Sequence, residues 1–102
     1  MSYHPIQLDK ARNFKYGMKA ISLIEKKLGA PIGKIDTNNL TIEDTATIIW
    51  AGLVHEDPQL TPEKVIDLID EYSDIQTVIE AMVEALQAAF GTKQGDEEGK
   101  NG

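Results

Sequence analysis

Three stretches of this 102-residue chain carry residues whose types could do chemistry. Gly29-Ala30-Pro31-Ile32-Gly33-Lys34 has the glycines and the lysine of a phosphate-binding loop. One residue is missing between the glycines, Ile35 stands where a hydroxyl belongs, and the segment follows a helical pattern instead of a strand. A cradle of backbone N–H groups cannot form on that plan. Asp36 and Asn38 begin like a calcium loop, but Leu40 follows, Thr41 holds the glycine position and Thr47 the position of the bidentate glutamate, leaving too few oxygen ligands. Histidine supplies only His4 and His55, and neither is spaced with a nucleophile and an orienting group. His55 falls at the end of a predicted helix, where it is expected to cap the last carbonyls. With no cysteine, thiolate catalysis, disulfides and cysteine-ligated metals are excluded. The expectation is a protein that is not an enzyme and has no cofactor and no metal site.

The chain is 41% hydrophobic and 26% charged, the balance of one soluble globular domain. Its longest apolar run, 48–54, is far short of the roughly 18 residues of a membrane span. The start Met1-Ser2-Tyr3-His4-Pro5 lacks the basic flank and apolar core of a signal peptide. A small, intracellular, soluble domain is expected, with no membrane partner.

The net charge of −7 is unevenly spread: residues 1–34 carry seven basic and two acidic groups, whereas residues 35–91 carry one basic group, Lys64, and twelve acidic ones. The acidic total excludes a nucleic-acid backbone as partner, since that calls for a dominant basic patch. Two readings of the polarity stand: the regions neutralise each other within one fold, or opposite ends of neighbouring copies attract.

The elements follow from periodicity and caps. Ile6, Leu8, Phe14 and Tyr16 alternate with polar residues around Asp9-Lys10, predicting a short N-terminal hairpin within an extended segment over 1–17. Met18, Ile21, Ile24 and Leu28 recur at helical steps, with Gly29 as the C-terminal cap and Pro31 as the stop. Thr41 caps a second helix over 42–55, apolar almost all round in its second half and expected to be central. Gly52 inside it predicts the close approach of a neighbour. Thr61-Pro62-Glu63 opens a third helix over Pro62–Tyr72. Asp74 caps a fourth over 75–90, ended by Gly91, with the stripe Ile75, Val78, Ile79, Met82, Leu86 and Phe90. Residues 92–102, without a large apolar side chain, are expected to form a flexible polar tail. The fold class is therefore mainly α, a compact four-helix domain over 1–91 with its core at Ile24, Ile49, Trp50, Leu53, Leu68, Ile79 and Leu86.

Trp50-Ala51-Gly52-Leu53, followed by Asp57-Pro58, Leu60-Thr61, Glu63, Val65 and Leu68-Ile69-Asp70, resembles the tail assembly chaperones of long-tailed bacteriophages and prophages. Ala20-Ile21, Leu23-Ile24-Glu25 and Leu28-Gly29 look similar to the first helix of that family, and Leu8-Asp9-Lys10 with Arg12-Asn13-Phe14 to its N-terminal strand region. The likeness covers residues 8–90. It implies a mostly helical protein of the host bacterial cytoplasm, absent from the mature virion, that holds the tape-measure protein soluble during tail assembly. It also implies that recruitment of the tail-tube protein belongs to a longer, frameshifted product, this chain looking like the short form.

The physical reading is compatible, because a long apolar helical protein aggregates unless many small domains shield it. Met82 and Leu86 on the fourth-helix stripe are the apolar candidates for partner binding, and self-association follows on the second of the two readings of the charge polarity. The acidic candidates are Glu56, Asp57, Asp67, Asp70 and Glu71. These five would also carry the alternative function, a small acidic regulatory adaptor or inhibitor that binds a basic protein surface.

Overall fold

Short-range capping chemistry sets where the last three α-helices begin and where the first one ends. The computed structural model describes residues 4–37 and 39–89 in full. Helix α1, Met18–Leu28, ends at Gly29, whose φ of 73° is the left-handed conformation that spares glycine a Cβ clash, and its N–H donates to Glu25 O at 2.8 Å. A single 3-10 turn, Ile32–Lys34, follows. Helix α2, Ile42–Leu53, opens on Thr41, whose Oγ1 accepts from Asp44 N at 3.0 Å. Helix α3, Pro62–Tyr72, opens on Thr61 in the same way, its Oγ1 accepting from Lys64 N at 3.1 Å. Helix α4, Ile75–Asn101, opens on Asp74, which accepts from Thr77 N at 2.8 Å.

Two bounds need comment. Helix α2 stops at Leu53, two residues before the predicted end at 55, because His55 and Glu56 turn away to bond the N-terminal segment. The expected stop of α4 at Gly91 and the flexible tail over 92–102 fall on residues outside those described in full.

The predicted hairpin is present. Strands β1, His4–Gln7, and β2, Ala11–Phe14, pair antiparallel with Ile6 opposite Arg12 and His4 opposite Phe14. The turn between them is closed by Leu8 N donating to Lys10 O at 3.0 Å. Two strands alone are marginal in water. These are supported from below, β2 lying on α2 and β1 on α4, with Leu8 and Phe14 buried at the contact.

Ile24, Ile48, Ile49, Leu53, Val65, Val78 and Met82 form the fully buried centre. Of the predicted core, Ile24, Ile49, Leu53 and Leu86 are buried as expected. Trp50 and Leu68 are half-buried against it. Ile79 is also half-buried but stands at the edge of the stripe, because α4 turns Val78, Met82, Ala85 and Leu86 inward. That is the i, i+4, i+7, i+8 spacing of one helix face. Whole-chain periodicity marks the stripe but leaves its orientation open by one position.

Candidate partner-binding surfaces

At the C-terminal end of α2 the hairpin is latched to the helix by apolar and polar contacts together. Phe14 and Tyr16 stack with their ring centroids 5.6 Å apart and lie directly on Gly52. A Cβ at Gly52 would fall 2.5 Å from Tyr16 Cζ and 2.8 Å from Phe14 Cδ1, so only glycine admits them without displacement. Lys15 N donates to Gly52 O at 2.9 Å, and the buried Tyr16 hydroxyl donates to Ile48 O at 2.7 Å. Burial holds the Tyr16 phenol well above its ordinary pKa.

Charge closes the edge of the latch. Arg12 is 4% exposed, and its guanidinium forks onto Asp9, Nε to Oδ1 at 2.9 Å and Nη2 to Oδ2 at 3.0 Å, while Nη1 reaches Asp57 Oδ2 at 3.3 Å. The hydrogen bond from Arg12 holds the Asp9 carboxyl below its usual range. Glu56 accepts from Asn13 N and Asn13 Nδ2, both at 3.1 Å. Burial pushes the Glu56 carboxyl up, but those two bonds prevail and leave it below the ordinary value. His55 Nε2 donates to Asn13 O at 2.8 Å. The expected capping role of His55 is thereby corrected: the imidazole bonds the hairpin backbone, 42 residues away in sequence, and not the last carbonyls of its helix.

The candidate partner-binding residues fall into three groups. Glu56 and Asp57 bond within the chain, to Asn13 and Arg12, while Glu56 stays exposed and Asp57 half-buried. Met82 at 0% exposure and Leu86 at 8% are interior, so neither lines an open groove in the folded chain. Asp67, Asp70 and Glu71 are exposed on α3.

Of the surroundings, Trp50 Nε1 donates to Leu60 O at 2.8 Å, fixing the loop before α3, and Lys27 Nζ stands 5.7 Å from the ring centroid. The loop at 29–34 is no phosphate cradle, since Ile32 N already donates to Glu25 Oε2 at 2.8 Å. Among the described residues no group of three or more His, Cys, Asp or Glu could hold a metal ion, and no helix is long and apolar enough to cross a membrane.

Among the described residues an apolar groove lies open near each end of α2. The first, about 360 Å³, is floored by Ala20, Leu23, Ala51 and Val54 and rimmed by Lys15, Lys19 and His55. Next to its rim residues Gly17 and Lys19, Met18 is 87% exposed. The second, about 390 Å³, lies where α2 begins, α3 ends and α4 begins. Its walls are Ile42, Ala46, Ile66, Ile69 and Ile75, and its rim carries Asp70 and Asp74. Ile42 is 55% exposed there, and Tyr72 of the neighbouring helix end is 52% exposed. The sequence reading missed both grooves, although Met18 and Ile42, each the first residue of its helix and each beside charge, were legible signals.

The chain matches no protein-family model, no curated protein and no solved structure.

Proposed function

We propose that this protein is a non-enzymatic phage tail assembly chaperone that binds the tape-measure protein and keeps it soluble in the host bacterial cytoplasm, without remaining in the mature virion. The observation that carries the reading is the pair of open apolar grooves on a small helical domain whose remaining surface is charged. Such grooves take apolar faces of helices, and the charged exterior keeps the complex in solution. The resemblance of Trp50-Ala51-Gly52-Leu53 and the Asp57-Pro58 to Asp70 stretch supports the same reading. Those residues do structural work here: Gly52 receives the hairpin, Asp57 pairs with Arg12, and Thr61 caps α3.

Co-expression with the tape-measure protein of the same phage or prophage tests the proposal. The expected result is a soluble complex with several copies of this chain per partner, because one domain of 102 residues cannot cover a long apolar helix. Equal solubility with and without this chain, and no recovered complex, would overturn it. A second reading, an acidic adaptor for a basic protein surface, is favoured by the exposure of Asp67, Asp70 and Glu71 along α3. It predicts binding that salt abolishes and that apolar substitutions in the grooves leave unchanged.

A further inference from the structure

The groove floored by Ala20, Leu23, Ala51 and Val54 is positive at its rim, in a chain whose net charge is −7. Lys15 and Lys19 are exposed there, and among the described residues neither makes an ion pair. A further hollow, about 230 Å³, continues from it across Lys15 and Gly17 to Ala85, Ala88 and Ala89 of α4. A Cβ on Gly17, at the saddle the two hollows share, would meet open space. None of the described residues lining either hollow is an aspartate or glutamate, although the chain has 17 of them. The groove at the other end of α2 has the opposite rim, Asp70 and Asp74.

We infer that this positive groove docks an amphipathic helix of another protein, one whose apolar stripe is flanked by aspartate and glutamate. The floor takes the stripe: Ala20 and Ala51 are small and let a helix approach, while Leu23 and Val54 stand half-exposed and offer apolar contact. Lys15 and Lys19 face the acidic flank, and the Asp70 and Asp74 rim of the isoleucine-walled groove repels it, so charge selects between the two sites. A second copy of this chain does not supply the stripe. Val65 and Ile69 of α3 and Val78, Met82 and Leu86 of α4 are spent on the core, and the exposed large apolar side chains, Met18, Ile42 and Tyr72, stand singly at helix ends. Residues 92–102 carry no large apolar side chain, so the C-terminal segment does not supply it either. The identification of the partner as the tape-measure protein rests on the chaperone reading, whereas the docking chemistry stands without it.

Fluorescence anisotropy of the full chain with two synthetic peptides tests it: a helix with a leucine stripe flanked by glutamates, and a scrambled peptide of the same composition without the stripe. The striped peptide is expected to bind, more weakly as salt rises, and the scrambled one not to bind. Lys15→Glu with Lys19→Glu, both at exposed positions, is expected to weaken binding about tenfold or more while circular dichroism stays unchanged. Lys10→Glu with Lys34→Glu changes the net charge equally at exposed positions that line neither hollow, and is expected to leave binding within about twofold. No binding of the striped peptide, equal binding of the scrambled one, or equal losses in the two double variants would overturn the inference. So would self-association that the peptide competes with and that Lys15→Glu with Lys19→Glu abolishes, since a second copy would then be the occupant. Co-expression with the tape-measure protein separates the two readings. A complex that survives Lys15→Glu with Lys19→Glu overturns the groove assignment and leaves the chaperone reading standing. A bound peptide without any tape-measure complex supports the groove and overturns the chaperone reading.

Discussion

The two ends of α2 solve opposite problems. At its C-terminal end the polar groups that latch the hairpin to the helix are paired: Tyr16 has Ile48 O, Arg12 has two aspartates, and Asn13 is held by both Glu56 and His55. The helix supplies a glycine where the aromatic pair must touch it. At its N-terminal end Ile42 stands half in water over an unfilled groove. The latch on Gly52, beside the open groove of Ala20, Leu23, Ala51 and Val54, resists change because any new atom or missing partner there has nowhere to go. An open end tolerates substitution in the monomer and expresses it in association. The charge polarity of the sequence divides in the same way. Part of it is neutralised inside the fold through Arg12 and Asp57, and part stays on the surface at Lys15, Lys19, Asp67, Asp70 and Glu71.

The largest test of this contrast reaches the core beneath both ends. Met82→Asp is expected to cost more than about 4 kcal/mol and to leave the chain largely unfolded by circular dichroism, since a carboxylate would be buried with no partner. A folded Met82→Asp protein that had lost only partner binding would show that Met82 faces outward.

A smaller effect compares the two ends directly. Gly52→Ala gains about 1 kcal/mol of helix propensity but forces the Tyr16 and Phe14 rings aside at a cost of about 3, for a net loss near 2 kcal/mol by urea denaturation. Ile42→Ala is expected to change stability by less than about 1 kcal/mol, because its side chain is half exposed and alanine favours the helix. Equal losses at both positions would break the distinction between the packed latch on Gly52 and the open groove under Ile42.

The smallest effect sharpens the electrostatics of the latch. Asp9 and Glu56 are both held below their ordinary pKa in the folded chain, so their contribution is present above about pH 4 and is lost as pH falls through the folded values. Both are largely exposed to solvent screening, and the loss between about pH 6 and pH 3 is a fraction of a kcal/mol for each. The urea midpoint should fall over that window, and less steeply in Asp9→Asn. An identical slope in that variant would place the acid sensitivity elsewhere.

Helix starts were legible because capping acts within three or four residues. Thr41, Thr61 and Asp74 each bond an N–H three positions on, and Gly29 ends α1 in the left-handed conformation its sequence position suggested. The hairpin was legible from alternation, and Gly52 was marked as a point of close approach because a glycine inside an apolar helix needs a reason. The rest depended on pairs with no sequence period. Arg12 meets Asp57 across 45 positions and Asn13 meets Glu56 across 43, so two of the acidic residues also hold the hairpin. Met82 and Leu86 lay on a clear apolar stripe, but a stripe buries equally well against its own fold or a partner's.

By itself, then, the sequence determined the local elements, their ends and the unequal distribution of charge, since all three are settled by neighbours along the chain. Only the tertiary structure decided which apolar side chains became core, which acids bond the hairpin, and that a groove stayed open near each end of α2. Those outcomes depend on how elements far apart in sequence meet, and the packing that brings Tyr16 onto Gly52 also sets where Met18 and Ile42 are left exposed.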